Sequence, residues 1–223
     1  MPHMSDLKIE SFPIGSLACN CSIIHSISSK EAIIIDSGND AELLLKKVEA
    51  LGVQVKVLLY THAHFDHIGA AAKVKKALNA PICLHQGDNL LYQALPVQAM
   101  MFGSLPMLPG KADKQILDEE EFGILTCNGL KNFLMAMHTP GHTQGSCCFY
   151  SESISSLPVL FSGDTLFQGS IGRTDLPGGN FDQIKNSIKQ RLYTLPDETQ
   201  VIPGHGPMTV ISNEKRSNPF VMA

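Results

Sequence analysis

No cluster of lysine or arginine stands out anywhere along these 223 residues. Charged side chains make up 17%, the formal net charge is -4 and the pI is about 6.1, so electrostatics disfavour nucleic acid as a partner. No apolar run approaches the roughly 18 to 20 residues that a bilayer span requires. The first residues, "MPHMSDLKIESF", show no basic stretch followed by an apolar one, so no secretory leader is visible and the cytoplasm is the expected location. Six cysteines are present, Cys19, Cys21, Cys83, Cys127, Cys147 and Cys148, and no two of them have C-x-x-C spacing. A chain of this length does not need disulfide staples, and these residues read as buried thiols of a reducing compartment. Internal repeats and low-complexity segments are also missing. What remains is an ordinary globular composition, 43% hydrophobic, enough to bury a real core in one domain spanning 1–223.

Short β-rich segments fill the first third. "LKIESF", "CSIIHSI" and "EAIIIDSG" read as strands separated by turn signals. "NDAELLLKKVEALG" reads as a helix capped by Asn39 or Asp40 and ended by Gly52. A buried strand, "VKVLLYT", follows, then a helix over "IGAAAKVKKALN" and a short strand "PICLH". Residues 93–112, "QALPVQAMMFGSLPMLPGKA", fit neither element and read as an apolar loop, with a lid or a subunit contact as the sharper alternative. Strands return at "KQILD", "FGILTC", "NFLMAMHT", "GSCCFYS" and "LPVLFSGD", before a helix over 181–195 and a last strand "TQVIPGH". Strands flanked by helices predict a layered α/β architecture.

Against that background one stretch is improbable. "LLYTHAHFDHIGA" holds His62, His64, Asp66 and His67, whereas nine histidines in 223 residues predict only about 0.24 in a six-residue window. On extended backbone His62 and His64 point the same way and reach one metal ion. Asp66 and His67 are adjacent and should diverge, which suits a second ion. Four ligands cannot surround two ions, and three later strand ends offer more: His142 in "HTPGHTQGS", Asp164 in "LFSGDTLF" and His205 in "VIPGHGP". Imidazole and carboxylate suit zinc, iron or manganese. His25, His85 and His138 lie in strand-like segments and read as ordinary polar residues or supports, and His3 sits near the N-terminus. Asp36, in "IIIDSGND", reads equally as a support for the metal loop or as a turn residue before Gly38. Cys147 and Cys148 are adjacent on a strand and point to opposite faces.

The series T-H-x-H-x-D-H, T-P-G-H-T, S-G-D-T-L-F and P-G-H-G-P resembles the metallo-β-lactamase superfamily, and within it the glyoxalase II-like (hydroxyacylglutathione hydrolase) group. The resemblance implies a four-layer αββα sandwich with two divalent metal ions, zinc or else iron or manganese, at one edge. It implies that His62, His64 and His142 hold one ion, that Asp66, His67 and His205 hold the other, and that Asp164 bridges them. Asp66 and Asp164 are then the catalytic carboxylates. Two such cations, two aspartates and a hydroxide leave a site of about +1, suited to stabilising an oxyanion, and the hydroxide is a nucleophile at neutral pH.

The implied reaction is hydrolysis of a small thioester, a glutathione conjugate such as S-lactoylglutathione. Arg173, in "GSIGRTDLPGGNFDQ", matches the basic residue that binds a glutathione carboxylate in such enzymes, although pairing with Asp175 or Asp182 would equally fix its loop. Departures are visible. Asp175 stands where an aromatic residue is expected, "GHGP" replaces the family's "GHEY", and the chain ends at Ala223 without the helical C-terminal domain of typical glyoxalase II. The pattern looks like the short bacterial form. Two rivals share the fold: persulfide dioxygenases, which share "GRTD" and use one iron, and non-enzymatic metal-binding scaffolds.

Overall fold

Strands whose two faces are both apolar can only sit between two layers, and that pattern governs the architecture. The computed structural model describes residues 6–124 and 133–222. Its first half runs β1 (Leu7–Ile14), β2 (Cys19–Ser26), β3 (Glu31–Ile35), α1 (Ala41–Leu51), β4 (Gln54–Leu59), α2 (Phe65–Ile68), α3 (Ala71–Leu78), β5 (Ile82–His85), α4 (Asn89–Gln93), α5 (Leu95–Met101) and β6 (Lys114–Ile116). The six strands form one sheet in sequence order, antiparallel from β1 to β3 and parallel from β3 to β6.

The second half runs β7 (Glu121–Phe122), β8 (Leu134–His138), β9 (Cys147–Ser151), β10 (Val159–Gly163), a small hairpin of β11 (Leu166–Phe167) and β12 (Ser170–Ile171), then α6 (Phe181–Ser187), β13 (Gln200–Pro203), β14 (Thr209–Val210) and α7 (Ile211–Ser217). Its main sheet has the order β14-β13-β10-β9-β8-β7.

Three apolar clusters match the spaces of a four-layer sandwich. Ile33 and Ile35 of β3 meet Phe149 of β9 and Phe161 of β10 between the sheets. The alternate residues Ala32 and Ile34 face outward, onto Leu44 and Val48 of α1 and Val74 of α3. On the far side Cys148, Tyr150 and Leu160 pack on Ile184 of α6 and on Ile188 and Leu192. Cys147 and Cys148 thus lie on opposite faces of β9, as their adjacency predicts, and Cys19, Cys21, Cys83, Cys147 and Cys148 are free buried thiols.

Several local expectations are met in detail. Asp40 caps α1 by accepting from the Leu43 amide at 3.1 Å, and Gly52 ends that helix in the left-handed region at φ +61°. Others need correction. The helix expected over 68–79 is two pieces, because Gly69 and Ala70 interrupt it: the Ala70 amide donates to the Gly38 carbonyl instead of continuing α2. Residues 93–112 are not a loop throughout, since Leu95–Met101 is helical with Pro96 in its first turn. The late helix changes to a wider turn over Ile188–Leu192 and stops there. The helices α4 and α7 were not expected. His3, Cys127 and parts of the strands expected at "FGILTC" and "NFLMAMHT" lie outside the described residues. No helix among the described residues is long and apolar enough to cross a membrane.

Candidate metal centre

The strand ends deliver the seven expected ligands to one edge of the sandwich. His62 and His64 follow β4, His142 follows β8, Asp164 follows β10, and His205 follows β13. Four groups of donor atoms form there: His62 with His64 and His142, Asp66 with His67 and His205, His62 with His67 and Asp164, and, behind His67, Cys19 with Asp36 and His67. Within each group the donor atoms lie within 4.8 Å of one another. The expectation that Asp66 and His67 diverge does not hold. They lie on the single turn α2, where neighbours are about 100° apart rather than 180°, and both face the spot that His205 faces. His205 Nε2 is 3.1 Å from Asp66 Oδ2 and 3.1 Å from His67 Nε2.

Hydrogen bonds on the outer nitrogens fix which ring nitrogen points inward. His142 Nδ1 donates to the Arg173 carbonyl at 2.8 Å, and His205 Nδ1 donates to the Leu17 carbonyl at 3.1 Å. His67 Nδ1 faces Asp36 Oδ2 at 3.0 Å. Thr61 Oγ1 donates to Asp36 Oδ2 at 2.7 Å, which leaves its lone pair for His62 Nδ1–H at 3.0 Å. In these four rings the inner Nε2 is therefore a bare lone pair in the neutral tautomer. His142 Nε2 lies 2.9 Å from His64 Nδ1, and the buried His62 Nε2 has no hydrogen-bond partner at all. His67 Nε2 and His205 Nε2, both lone pairs in these tautomers, lie 3.1 Å apart and repel one another, and a cation between them removes the conflict. The donor set thus fits divalent metal ions, as the fold family implies.

The titration behaviour of the metal-free cluster agrees. Burial, then the neighbouring imidazoles, drives His62 well below the usual histidine range, and burial with His142 takes His64 down to about 3. Burial also opposes charge on Asp66 and Asp164, yet His67 and the other imidazoles outweigh it and hold both carboxyls below their ordinary value. For His67 burial is likewise overcome, by Cys19, Asp164, Asp66 and Asp36, and its pKa rises. Against burial, His205 is raised as well, by Asp66 and Asp164, so without a cation these two rings hold a proton to higher pH than usual, and a cation must displace it.

Close approach at this edge needs glycine. A Cβ on Gly163, which has φ +49°, would sit 2.6 Å from Thr61 Cβ, and one on Gly204 would overlap Asp164 Oδ1 and His67 Cε1.

A cavity of about 470 Å³ opens on the cluster. His64, Asp66, His142, Asp164 and His205 line one side, and Leu91, Val97, Met101, Phe102, Leu176 and Pro177 make the rest largely apolar. A more open hollow of about 590 Å³, beside Lys75, Lys76 and Lys111, holds none of the expected ligands.

With this geometry in place, the comparisons are decisive about ancestry. The metallo-β-lactamase superfamily model matches residues 14–205. The chain belongs to the metallo-β-lactamase superfamily. Hydroxyacylglutathione hydrolase GloC of Haemophilus influenzae is 41% identical over 216 residues, covering 96% of this chain and 98% of GloC. The crystal structure of the BLEG-1 B3 metallo-β-lactamase superposes with a TM-score of 0.84 at 35% identity, covering 97% of this chain and all of that one. TTHA1623, solved in a di-iron-bound form, gives 0.82 at 36% identity, covering 95% and 100%. The fold class expected from the sequence, the four-layer αββα sandwich, is the one these proteins share.

Three other expected roles can now be placed. Of the two readings open for Asp36, its hydrogen bonds favour support of the metal loop: besides Thr61 Oγ1 and His67 it accepts from the Thr61 amide at 2.8 Å. Arg173 lines the cavity, but Asp175 grips its guanidinium at 2.8 and 2.7 Å, as the loop-fixing reading has it. His85 and His138 stack on each other 4.0 Å apart, apart from the ligand groups, and His25 is at the far end of β2.

Sequence reasoning missed two supports. Buried Asp88 accepts from the Ala63 amide, the Thr143 hydroxyl and the Gly145 amide at 2.9, 2.9 and 2.7 Å, tying the loop of His62 and His64 to that of His142. Gln98 of α5 donates to the carbonyls of Ala63 and Leu91 and accepts from the Phe65 amide. Both act across long stretches of sequence and carry no local motif.

Proposed function

We propose that this protein is a metal-dependent thioester hydrolase acting on 2-hydroxyacyl conjugates of glutathione such as S-lactoylglutathione. The observation that carries the reading is the pair of ligand triads sharing Asp164, whose oxygens lie 3.3 Å from His67 Nε2, 3.6 Å from His142 Nε2 and 3.8 Å from His205 Nε2. We assign His62, His64 and His142 to one ion, Asp66, His67 and His205 to the other, and Asp164 to both. Divalent ions bound there supply Lewis acidity toward a carbonyl oxygen and lower the pKa of water to near neutrality.

The residues of the chain do the rest. The outer hydrogen bonds that the rings donate to the Arg173 and Leu17 carbonyls, the Asp36 carboxylate and the Thr61 hydroxyl hold the imidazoles in the tautomers that expose a lone pair. Asp66 and Asp164 remain ionised and keep the site from accumulating the full charge of two cations. The cavity wall excludes water from one side of the substrate. A thiolate is a good leaving group, so no strong general acid is required. Consistent with this, Arg173 is the only lysine or arginine among the described residues that line the cavity.

The kinship with GloC supports this substrate class. The rival, a persulfide dioxygenase with one iron held by two histidines and an aspartate, would leave Asp66, His67 and His205 without an ion to hold. Metal analysis on the same sample as turnover of S-lactoylglutathione tests the reading. Two ions per chain, thioester hydrolysis, and a loss of about 100-fold or more in Asp66→Ala are expected. One iron per chain with oxygen uptake on glutathione persulfide would overturn it, as would an Asp66→Ala variant with full activity.

A further inference from the structure

Between Asp88 and Lys111 the chain has no charged side chain. The helix α5 within this stretch is apolar on two sides. Leu95 and Ala99 are buried in the core beneath it, while Val97, Met101 and Phe102 face the cavity and are 60%, 75% and 50% exposed. An exposed apolar helix face costs solubility, and an apolar wall beside reacting groups is what a substrate substituent can cover.

This wall is fixed to the reaction centre. Gln98 bonds α5 to the backbone of Ala63 and Phe65, the residues that flank His64 in the chain. Phe65 in turn stacks on Phe102 with ring centroids 5.1 Å apart. The wall therefore starts at the ligand loop itself, and its position does not depend on a moving segment.

Building on the proposed thioesterase reading, we infer that α5 forms a subsite for an apolar acyl substituent, so that aromatic or branched 2-hydroxyacyl thioesters are better substrates than lactoyl ones. The two halves of the thioester differ in what they can place there. Glutathione carries two carboxylates and an ammonium, and none of these can be set against Val97, Met101 and Phe102 without a costly loss of hydration. The acyl substituent sits on the carbon next to the attacked carbonyl, so it stays within the cavity that His64 and Asp66 share with the wall, and it is the half that can cover it. Arg173, the one lysine or arginine among the described residues that line the cavity, is already paired with Asp175. Discrimination must then come mainly from the acyl side.

Two measurements on the metal-loaded protein test this. The first compares kcat/KM for S-mandeloylglutathione and S-lactoylglutathione, which differ by phenyl against methyl on the same 2-hydroxyacyl group. The second compares, by titration calorimetry, the Kd of S-benzylglutathione and S-methylglutathione, thioethers that no thioesterase can cleave. We expect at least a tenfold preference for the aromatic member in both, reduced at least fivefold in Val97→Ser/Met101→Ser. Lactoyl turnover without an aromatic preference in either measurement overturns the subsite and keeps the thioesterase. An aromatic preference in thioether binding, lost in the double variant, with no thioester turnover keeps the subsite and overturns the thioesterase. An aromatic preference that the double variant retains also overturns the subsite, because the wall is then not its source.

Discussion

Removing the carboxylate of Asp88 separates the two histidine loops without touching a ligand. Asp88 is 1% exposed and accepts three hydrogen bonds, from the amides of Ala63 and Gly145 and from the Thr143 hydroxyl. Burial raises its pKa, but three donors and no acceptor face it, so the ionised form is the one that the site accommodates. Asp88→Ala leaves two buried amides unpaired, while the Thr143 hydroxyl keeps Ser146 Oγ at 2.7 Å. Each amide costs about 1–3 kcal/mol, partly recovered by water in the space left behind, so a net loss of about 2–4 kcal/mol is expected. For a chain of this size that corresponds to a fall of about 10 °C in Tm. Because Ala63 lies between His62 and His64, the same change loosens the geometry of one triad, and metal affinity should fall about 10- to 100-fold. Asp88→Asn keeps the volume but turns one acceptor into a donor facing a donor, and should recover only part of the loss. Urea unfolding with and without metal, together with a competitive chelator titration, measures both effects. An Asp88→Ala protein within about 1 kcal/mol of the parent, with metal affinity within twofold, refutes the idea that this carboxylate ties the loops together.

Three further outcomes are expected. Thr61→Val removes the hydroxyl between Asp36 and His62 while preserving shape. It should weaken metal binding about tenfold by chelator competition and leave the far-UV circular dichroism unchanged. In Gly204→Ala the new methyl group collides with Asp164 and His67. It should prevent full metal loading in a chain that still folds, as read by metal analysis beside circular dichroism. Because His67 is raised in the metal-free protein, its ring carries a proton below that raised value, and binding a cation must expel it. Affinity should therefore fall as pH is lowered, with proton release detectable by calorimetry in buffers of different ionisation enthalpy. An affinity constant between about pH 5 and 8 contradicts this.

The candidate ligands could be picked out of the sequence because each lies in a segment that follows a strand and carries a short local signature: His-x-His and Asp-His on one loop, then Pro-Gly-His, Ser-Gly-Asp and Pro-Gly-His. The geometry that makes them a site was only half legible. The divergence expected of Asp66 and His67 assumed extended backbone, whereas Phe65–Ile68 closes a helical turn. The helix α5 escaped notice because periodicity needs a polar face for contrast, and Val97, Met100 and Met101 leave none. Its Pro96, a helix-start residue, was the signal that could have revealed it. Asp88 and Gln98 were invisible for another reason: their partners lie 25 to 57 and 7 to 35 residues away along the chain. No pattern within one segment announces such bonds.

Asp36 stands at φ +53°, a conformation that few residues other than glycine adopt, at the end of β3. From there its Oδ2 reaches both halves of the centre: one half through Thr61 and His62, the other directly through His67. The two proposed ion positions thus share a single mechanical anchor as well as Asp164. An ion that fixes this anchor from one side fixes it for the other, so the ions are expected to load as a pair, and a chain stripped of one is expected to hold the second loosely. Scarcity of metal would then divide a population of these molecules into full and empty ones, with few in between.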